Sequence, residues 1–208
     1  MNNKLSLRER KKYQTMSNIL DEFLNSLQDY NFHDIHIEDI CDRVNISKVT
    51  FFRYFNSKEE VLEYFVLRWC YQRSLEINRN DYKGLEGIHH VFQSVANLPN
   101  AEKIIISLIH FYTRIKVQEI EFKELSEYER YVISNSLTEG LQVDILNLPE
   151  ILLHYLDQIE GIEKMKSYYV EQLIMLFYGI PLQRHIQVVE SKPLDVVYRE
   201  YVENCFSH

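Results

Sequence analysis

The sequence predicts an all-α fold, on three observations. Only five glycines and four prolines occur in 208 residues, and the prolines lie far apart, so long stretches carry neither helix breaker. Apolar residues return at three- and four-residue steps through most of the chain, the spacing of one helical face. The one stretch with strand propensity, Ile104-Ile105-Ile106-Ser107-Leu108-Ile109, has no partner strand and is read as helix. With 46% hydrophobic and 26% charged residues, the chain is composed like a folded globular protein, which excludes disorder, collagen and disulfide miniproteins.

The first helix spans about 7–30, with Met16, Ile19, Leu20, Phe23, Leu24 and Leu27 on one face. After the polar break Asp29-Tyr30-Asn31, a short helix over 38–44 opens with Glu38 and Asp39, which complement its dipole. Asn45 suits a left-handed helix end and Ser47 suits an N-cap, so Asn45-Ile46-Ser47 is a tight turn into a third helix over 48–54. Asn56-Ser57-Lys58-Glu59-Glu60 then starts a long helix over about 57–78, whose stripe is Val61, Leu62, Phe65, Val66, Trp69 and Cys70. Further helices are expected near 84–97, 101–117, 124–140, 149–159, 162–180 and 193–206. The breaks between them fall at Asn80-Asp81, Pro99-Asn100, Leu148-Pro149, Gly161 and Ser191-Lys192-Pro193.

Charge divides unevenly along the chain. Of the 23 Lys and Arg and 31 Asp and Glu, residues 1–58 carry a net +1 and the remainder −9. Lys4, Arg8, Arg10, Lys11 and Lys12 form a basic arm interrupted only by Glu9. No glycine precedes Gly84, so the N-terminal part holds no phosphate-binding glycine loop. The three cysteines, Cys41, Cys70 and Cys205, form no CxxC pair, and the longest apolar run, 173–182, is far short of the roughly 20 residues a membrane span needs. The N-terminus lacks an apolar signal region. A cytoplasmic location is the expectation.

Helix, three-residue turn, helix, with Ile40, Val44, Ile46 and Phe51 placed to pack together, is the pattern of a helix-turn-helix. Close crossing asks for a small residue at Cys41 and a turn residue at Asn45 that accepts positive φ. On periodicity alone an ordinary αα-corner fits as well.

The run from Ile40 to Leu62 adds more than periodicity. Ile40-Cys41-(x)2-Val44-Asn45-Ile46-Ser47-Lys48-Val49-Thr50-Phe51-Phe52-Arg53-Tyr54-Phe55-Asn56-Ser57-Lys58-Glu59-Glu60-Val61-Leu62 resembles the N-terminal domain of the TetR family of transcriptional regulators, and the match covers about residues 8–66. The resemblance implies a dimeric, ligand-responsive binder of double-stranded DNA, with a helix-turn-helix domain over 1–56 and an all-helical regulatory and dimerisation domain over 57–208. Asn45 stands where the family usually has glycine, Phe52 where a tyrosine usually donates to phosphate, and His36 where threonine usually caps the second helix. Base reading falls to Lys48, Val49 and Thr50, with Ser47 as reader or cap. Lys48 suits guanine, and Val49 and the Thr50 methyl suit a thymine methyl. Phosphate contacts fall to Lys58, Tyr54, Arg53, the arm and His36, with Phe52 lacking the hydroxyl for one.

Other chemistry is thin. No HExxH or HxxxH spacing relates the eight histidines, no GxSxG context marks a nucleophile, and no metal or cofactor is expected. Phe92, His110, Phe111, Tyr112, Tyr155, Tyr169 and Phe177 are candidates to line an apolar effector cavity, or to fill the core. Met165, Tyr169, Leu173, Leu176, Phe177, Ile180, Val197 and Tyr201 are the expected dimer stripe. The function expected is a ligand-released repressor acting as a homodimer on a palindromic operator, with a regulator controlled by a protein partner as the alternative. An enzyme that merely shares the corner has no catalytic constellation behind it.

Overall fold

The computed structural model describes residues 6–114, 124–187 and 192–207. Lys4 of the arm, residues 115–117 of the predicted 101–117 helix and Ser191 lie outside them. The described residues form eleven α-helices and two short 3₁₀ turns, with no strand among them. None of these helices is long and apolar enough to cross a membrane. The chain divides into two compact units, one of residues 1–75 and 115–145, the other of residues 76–114 and 146–208.

The first unit begins with α1 (Leu7–Ser26), α2 (Ile37–Val44) and α3 (Lys48–Tyr54), followed by α4 (Lys58–Arg79), whose residues up to Leu75 belong here. Ser6 starts α1 with a reciprocal cap: its hydroxyl accepts from the Glu9 amide, and the Glu9 carboxylate accepts from the Ser6 amide. The helix stops short of the predicted Tyr30, and a 3₁₀ turn at Phe32–Asp34 leads on to α2. Ile19, Phe23 and Leu27 of the N-terminal segment, together with Ile40, Phe51, Phe55, Val61 and Leu62, are completely buried and form the apolar core of the unit. Burial of this apolar set is the main stabilisation of the unit.

The expected single helix over 124–140 is two helices, α7 (Glu127–Ser134) and α8 (Leu137–Gln142). Asn135 takes a left-handed φ of 55° and ends α7, and the Ser136 hydroxyl accepts from the Glu139 amide to start α8. Both helices belong to the first unit. The buried Glu129 carboxylate accepts the Tyr64 hydroxyl at 2.6 Å, while its other oxygen accepts from the Ser126 amide and hydroxyl. Tyr71 donates to the Gly140 carbonyl at 2.8 Å, and Tyr13 of α1 meets the edge of Tyr128.

The second unit contains α5 (Gly84–Ala96), α6 (Ala101–Arg114), α9 (Leu148–Leu156), α10 (Lys166–Ile186) and α11 (Leu194–Cys205). Helices α5 and α10 each pack against α6, α9 and α11. Gly87 lets α5 approach α9: a Cβ there would lie 2.2 Å from the Tyr155 ring. Helix α10 runs past its predicted end at 180 and carries Pro181 inside it. Proline removes the N–H that would bond the carbonyl four residues back, at Phe177. Tyr198 of α11 supplies a donor instead, 2.6 Å from that carbonyl.

Candidate nucleic-acid interface

The turn between α2 and α3 has the predicted geometry. Asn45 sits at φ 57°, ψ 51°, and the Ile46 amide donates back to the Cys41 carbonyl at 2.9 Å, closing α2. Ser47 caps α3, its hydroxyl accepting from the Thr50 amide at 3.1 Å. Cys41 is buried at the crossing beside Ile40, while Val44 and Ile46 are less deeply placed. Burial pushes the Cys41 thiol above its usual pKa, so it stays a neutral, small packing group.

Helix α3 presents one side to solvent. Its inner face is Phe51, completely buried, and its outer face carries Val49, 72% exposed, and Phe52, 49% exposed. Arg53 shares that outer face one turn on from Val49, and Tyr54 is half-buried. The Phe52 ring packs against the edge of Phe51, centroids 5.5 Å apart, which fixes its direction from the core outward. Ser47 and Thr50 hydroxyls pair at 3.0 Å, so both serve the cap. Lys48 is ion-paired with Glu38 of α2, and that bond holds the Glu38 carboxyl below its usual pKa. In the sequence Glu38 reads only as a first-turn acid; ten residues separate it from Lys48, and the turn brings them together.

His36 occupies the position before α2 with extended backbone, and its side chain makes no capping bond. Lys58 differs from expectation. Its ammonium donates to the carbonyls of Phe32 at 2.7 Å and of His33 and Ile35 at 3.0 Å, and lies 4.8 Å over the Phe32 ring. An ammonium has three protons, and these carbonyls take all three. Burial lowers its pKa, while Glu59 and Asp34 pull the other way. In this structure Lys58 therefore ties the start of α4 to the chain entering α2. The arm cations Arg8, Arg10, Lys11 and Lys12 are exposed and lie within α1 itself.

In the second unit, the residues suggested for a cavity pack largely on one another. Phe92 meets Phe177 and Tyr198 at ring separations of 5.6 and 4.9 Å, Tyr169 stacks on Phe206 at 4.8 Å, and Phe111 and Tyr155 are buried. His110 and Tyr112 are half-buried. Of the expected dimer stripe, Tyr169, Leu173, Phe177 and Ile180 are buried within this unit, Leu176 and Val197 are not, and Met165 and Tyr201 are exposed. The stripe assumes one apolar face on α10, and the helix has two. The outward one carries Tyr168, Met175, Leu182 and Ile186. No group of three or more His, Cys, Asp or Glu side chains able to hold a metal ion occurs among the described residues.

A buried apolar α2–turn–α3 corner with an exposed outer helix, on a bundle carrying cations at its N-terminus, is a helix-turn-helix DNA-binding module. Residues 19–65 match the family model described as bacterial regulatory proteins, tetR family. That segment takes in the second half of α1, all of α2 and α3, and the first two turns of α4. Over that segment the chain is similar to the DNA-binding module of the tetR family of regulatory proteins. Neither the curated proteins nor the solved structures provided a match.

Proposed function

We propose that the protein is a cytoplasmic repressor that binds a palindromic operator as a homodimer and leaves it when an effector binds the helical body. The observation that carries the reading is the outward face of α3 on a family-matched helix-turn-helix. Arg8, Arg10, Lys11 and Lys12 add to it. Cations near a helix N-terminus oppose the dipole, by about 0.3–1 kcal/mol each at the first turn, so their placement is better explained by a polyanion than by helix stability. Phosphate contacts are assigned to these cations, Arg53 and Tyr54. The domain division proposed is a reading part over 1–56 and a regulatory and dimerisation part over 57–208.

The dimer is proposed to form through the outward face of α10. Tyr168, Met175 and Leu182 recur every seven residues, and Gln172, Gly179 and Ile186 each follow one of them by four, the pattern of two helices packing side by side. A Cβ at Gly179 would meet nothing within 4 Å, so a second helix has room to approach. Binding of such a dimer to a palindrome requires its two recognition helices to reach half-sites one DNA turn apart, about 34–36 Å. Helix α4, continuous from the reading module to Arg79, is the element proposed to tilt when the effector binds, and −9 on residues 59–208 disfavours a strongly anionic effector. The mutual packing of Phe92, Phe177 and Tyr198 favours, as a second reading, control by a protein partner on a body filled by its own side chains.

Selection of bound sequences from random duplex DNA by the full chain tests the reading. The expected product is a palindrome with half-sites one helical turn apart. Failure to enrich any sequence at low salt overturns it.

A further inference from the structure

The side chains at the start of α3 divide into those already engaged and those facing outward. Ser47 and Thr50 hydroxyls satisfy the helix cap and each other, and Lys48 is held by Glu38. Besides Arg53, which is assigned to phosphate, what remains toward solvent at the first two turns is Val49 and Phe52, three residues apart on one face. Neither carries a hydrogen-bonding group. Phe52 is moreover pre-set, because its ring rests edge-on against the buried Phe51. An exposed aromatic held in one direction by the core loses little freedom when something covers it.

Resting on the proposal that α3 enters the major groove, we infer that this protein reads its operator chiefly through thymine C5-methyl groups, with Val49 and Phe52 as the specificity-determining residues. The thymine methyl is the one apolar group on the major-groove edge of the four bases. Val49 and Phe52 offer it apolar cover where a hydrogen-bonding reader would offer a donor. Lys48 has to leave Glu38 before it reaches a guanine, so its contribution to discrimination is reduced by the pair it breaks. The half-site that satisfies this face contains thymines at the two positions Val49 and Phe52 reach.

The test uses the full chain and the duplex selected as above. Each thymine of the half-site is replaced in turn by deoxyuridine, which removes only the methyl. At one or two positions binding should weaken about fourfold, the worth of one buried methyl-sized group. Replacing thymine by cytosine at those positions should weaken it further, and 5-methylcytosine should recover about fourfold over cytosine. In Val49→Ala or Phe52→Ala the thymine-to-uracil ratio at the matching position should fall to about one. Both side chains are largely exposed, and the melting temperature checks that the fold is kept.

If a sequence is selected but uracil is accepted like thymine everywhere, the methyl reading is overturned while the DNA-binding reading stands. It is overturned also if both variants keep the wild-type discrimination, or if they change only self-association, which would make this face a protein contact. If no sequence is selected, both readings fall.

Discussion

Tyr198 on α11 donates its hydroxyl to the carbonyl of Phe177 on α10 at 2.6 Å, and Phe177 is the residue four places before Pro181. The tyrosine replaces the amide that proline lacks. Burial pushes the Tyr198 hydroxyl well above the usual tyrosine range, so it remains a donor at every working pH. Tyr198→Phe should therefore destabilise the protein by about 1–3 kcal/mol, the cost of leaving a buried carbonyl without this partner. In a Pro181→Ala background the helix regains its own amide, and the same substitution should cost clearly less. Denaturant unfolding of the four proteins of this cycle measures the difference, and equal costs in the two backgrounds would refute the link.

A second expectation separates cations that hold the fold from cations that meet DNA. Lys58→Met removes the three bonds to Phe32, His33 and Ile35 and should lower stability by about 1–2 kcal/mol, with the salt dependence of DNA binding unchanged. Lys11→Ala and Lys12→Ala should do the reverse: little change in unfolding, and a log–log salt slope shallower by about 0.9 for each phosphate that is no longer neutralised. A shallower slope for Lys58→Met would return that lysine to the set of phosphate-binding cations.

Much of this is legible in the sequence, and the misses share a cause. Four non-glycine residues among those described take positive φ, and all four are asparagine: Asn45, Asn80, Asn100 and Asn135. With few glycines, the chain uses asparagine just past the ends of α2, α4 and α7 and in the turn before α6, since its short polar side chain tolerates the left-handed region. Asn45, Asn80 and Asn100 read as breaks from the sequence. Asn135 does not, although Ser136 follows it as a cap, because apolar periodicity runs on through both α7 and α8. Pro181 misleads in the opposite direction, since its compensation by Tyr198 comes from another helix and no local pattern reports it. Lys58 and Lys48 show the same limit: the residues that engage them are brought in by the turns before α2 and α3, and spacing along the chain does not record that.

A third expectation concerns pH. His89 on α5 is partly buried, and burial holds its imidazole pKa below the usual value, with Arg199 adding to the depression and Glu203 opposing it. A histidine of depressed folded pKa favours protons in the unfolded chain. Stability therefore rises with pH through this group: it is intact above the unfolded value of about 6.5 and is lost as pH falls through that value toward the folded one. His89→Gln should flatten this part of the profile. Unfolding midpoints of both proteins between about pH 8 and 5 measure it, and an unchanged slope would remove His89 from the acid response.

The last expectation fixes which face of α10 pairs. The inward face is already occupied, with Leu173 completely buried and Phe177 packed on Phe92 and Tyr198, so a charge there would break the fold of a single chain. Met175 is 54% and Ile186 70% exposed, and a charge at either can be solvated in a monomer without cost to its core. Buried in a two-fold interface, the same charge would meet its own copy or a nearby like charge across the axis, without a partner and out of water. Met175→Glu and Ile186→Glu should therefore leave the unfolding of the isolated chain nearly unchanged while shifting sedimentation at micromolar protein from dimer toward monomer. Affinity for a palindromic operator should fall with the dimer, and affinity for a single half-site should not. Wild-type protein that sediments as a monomer at all accessible concentrations would remove the dimer, and dimeric variants at both positions would move the interface off this face.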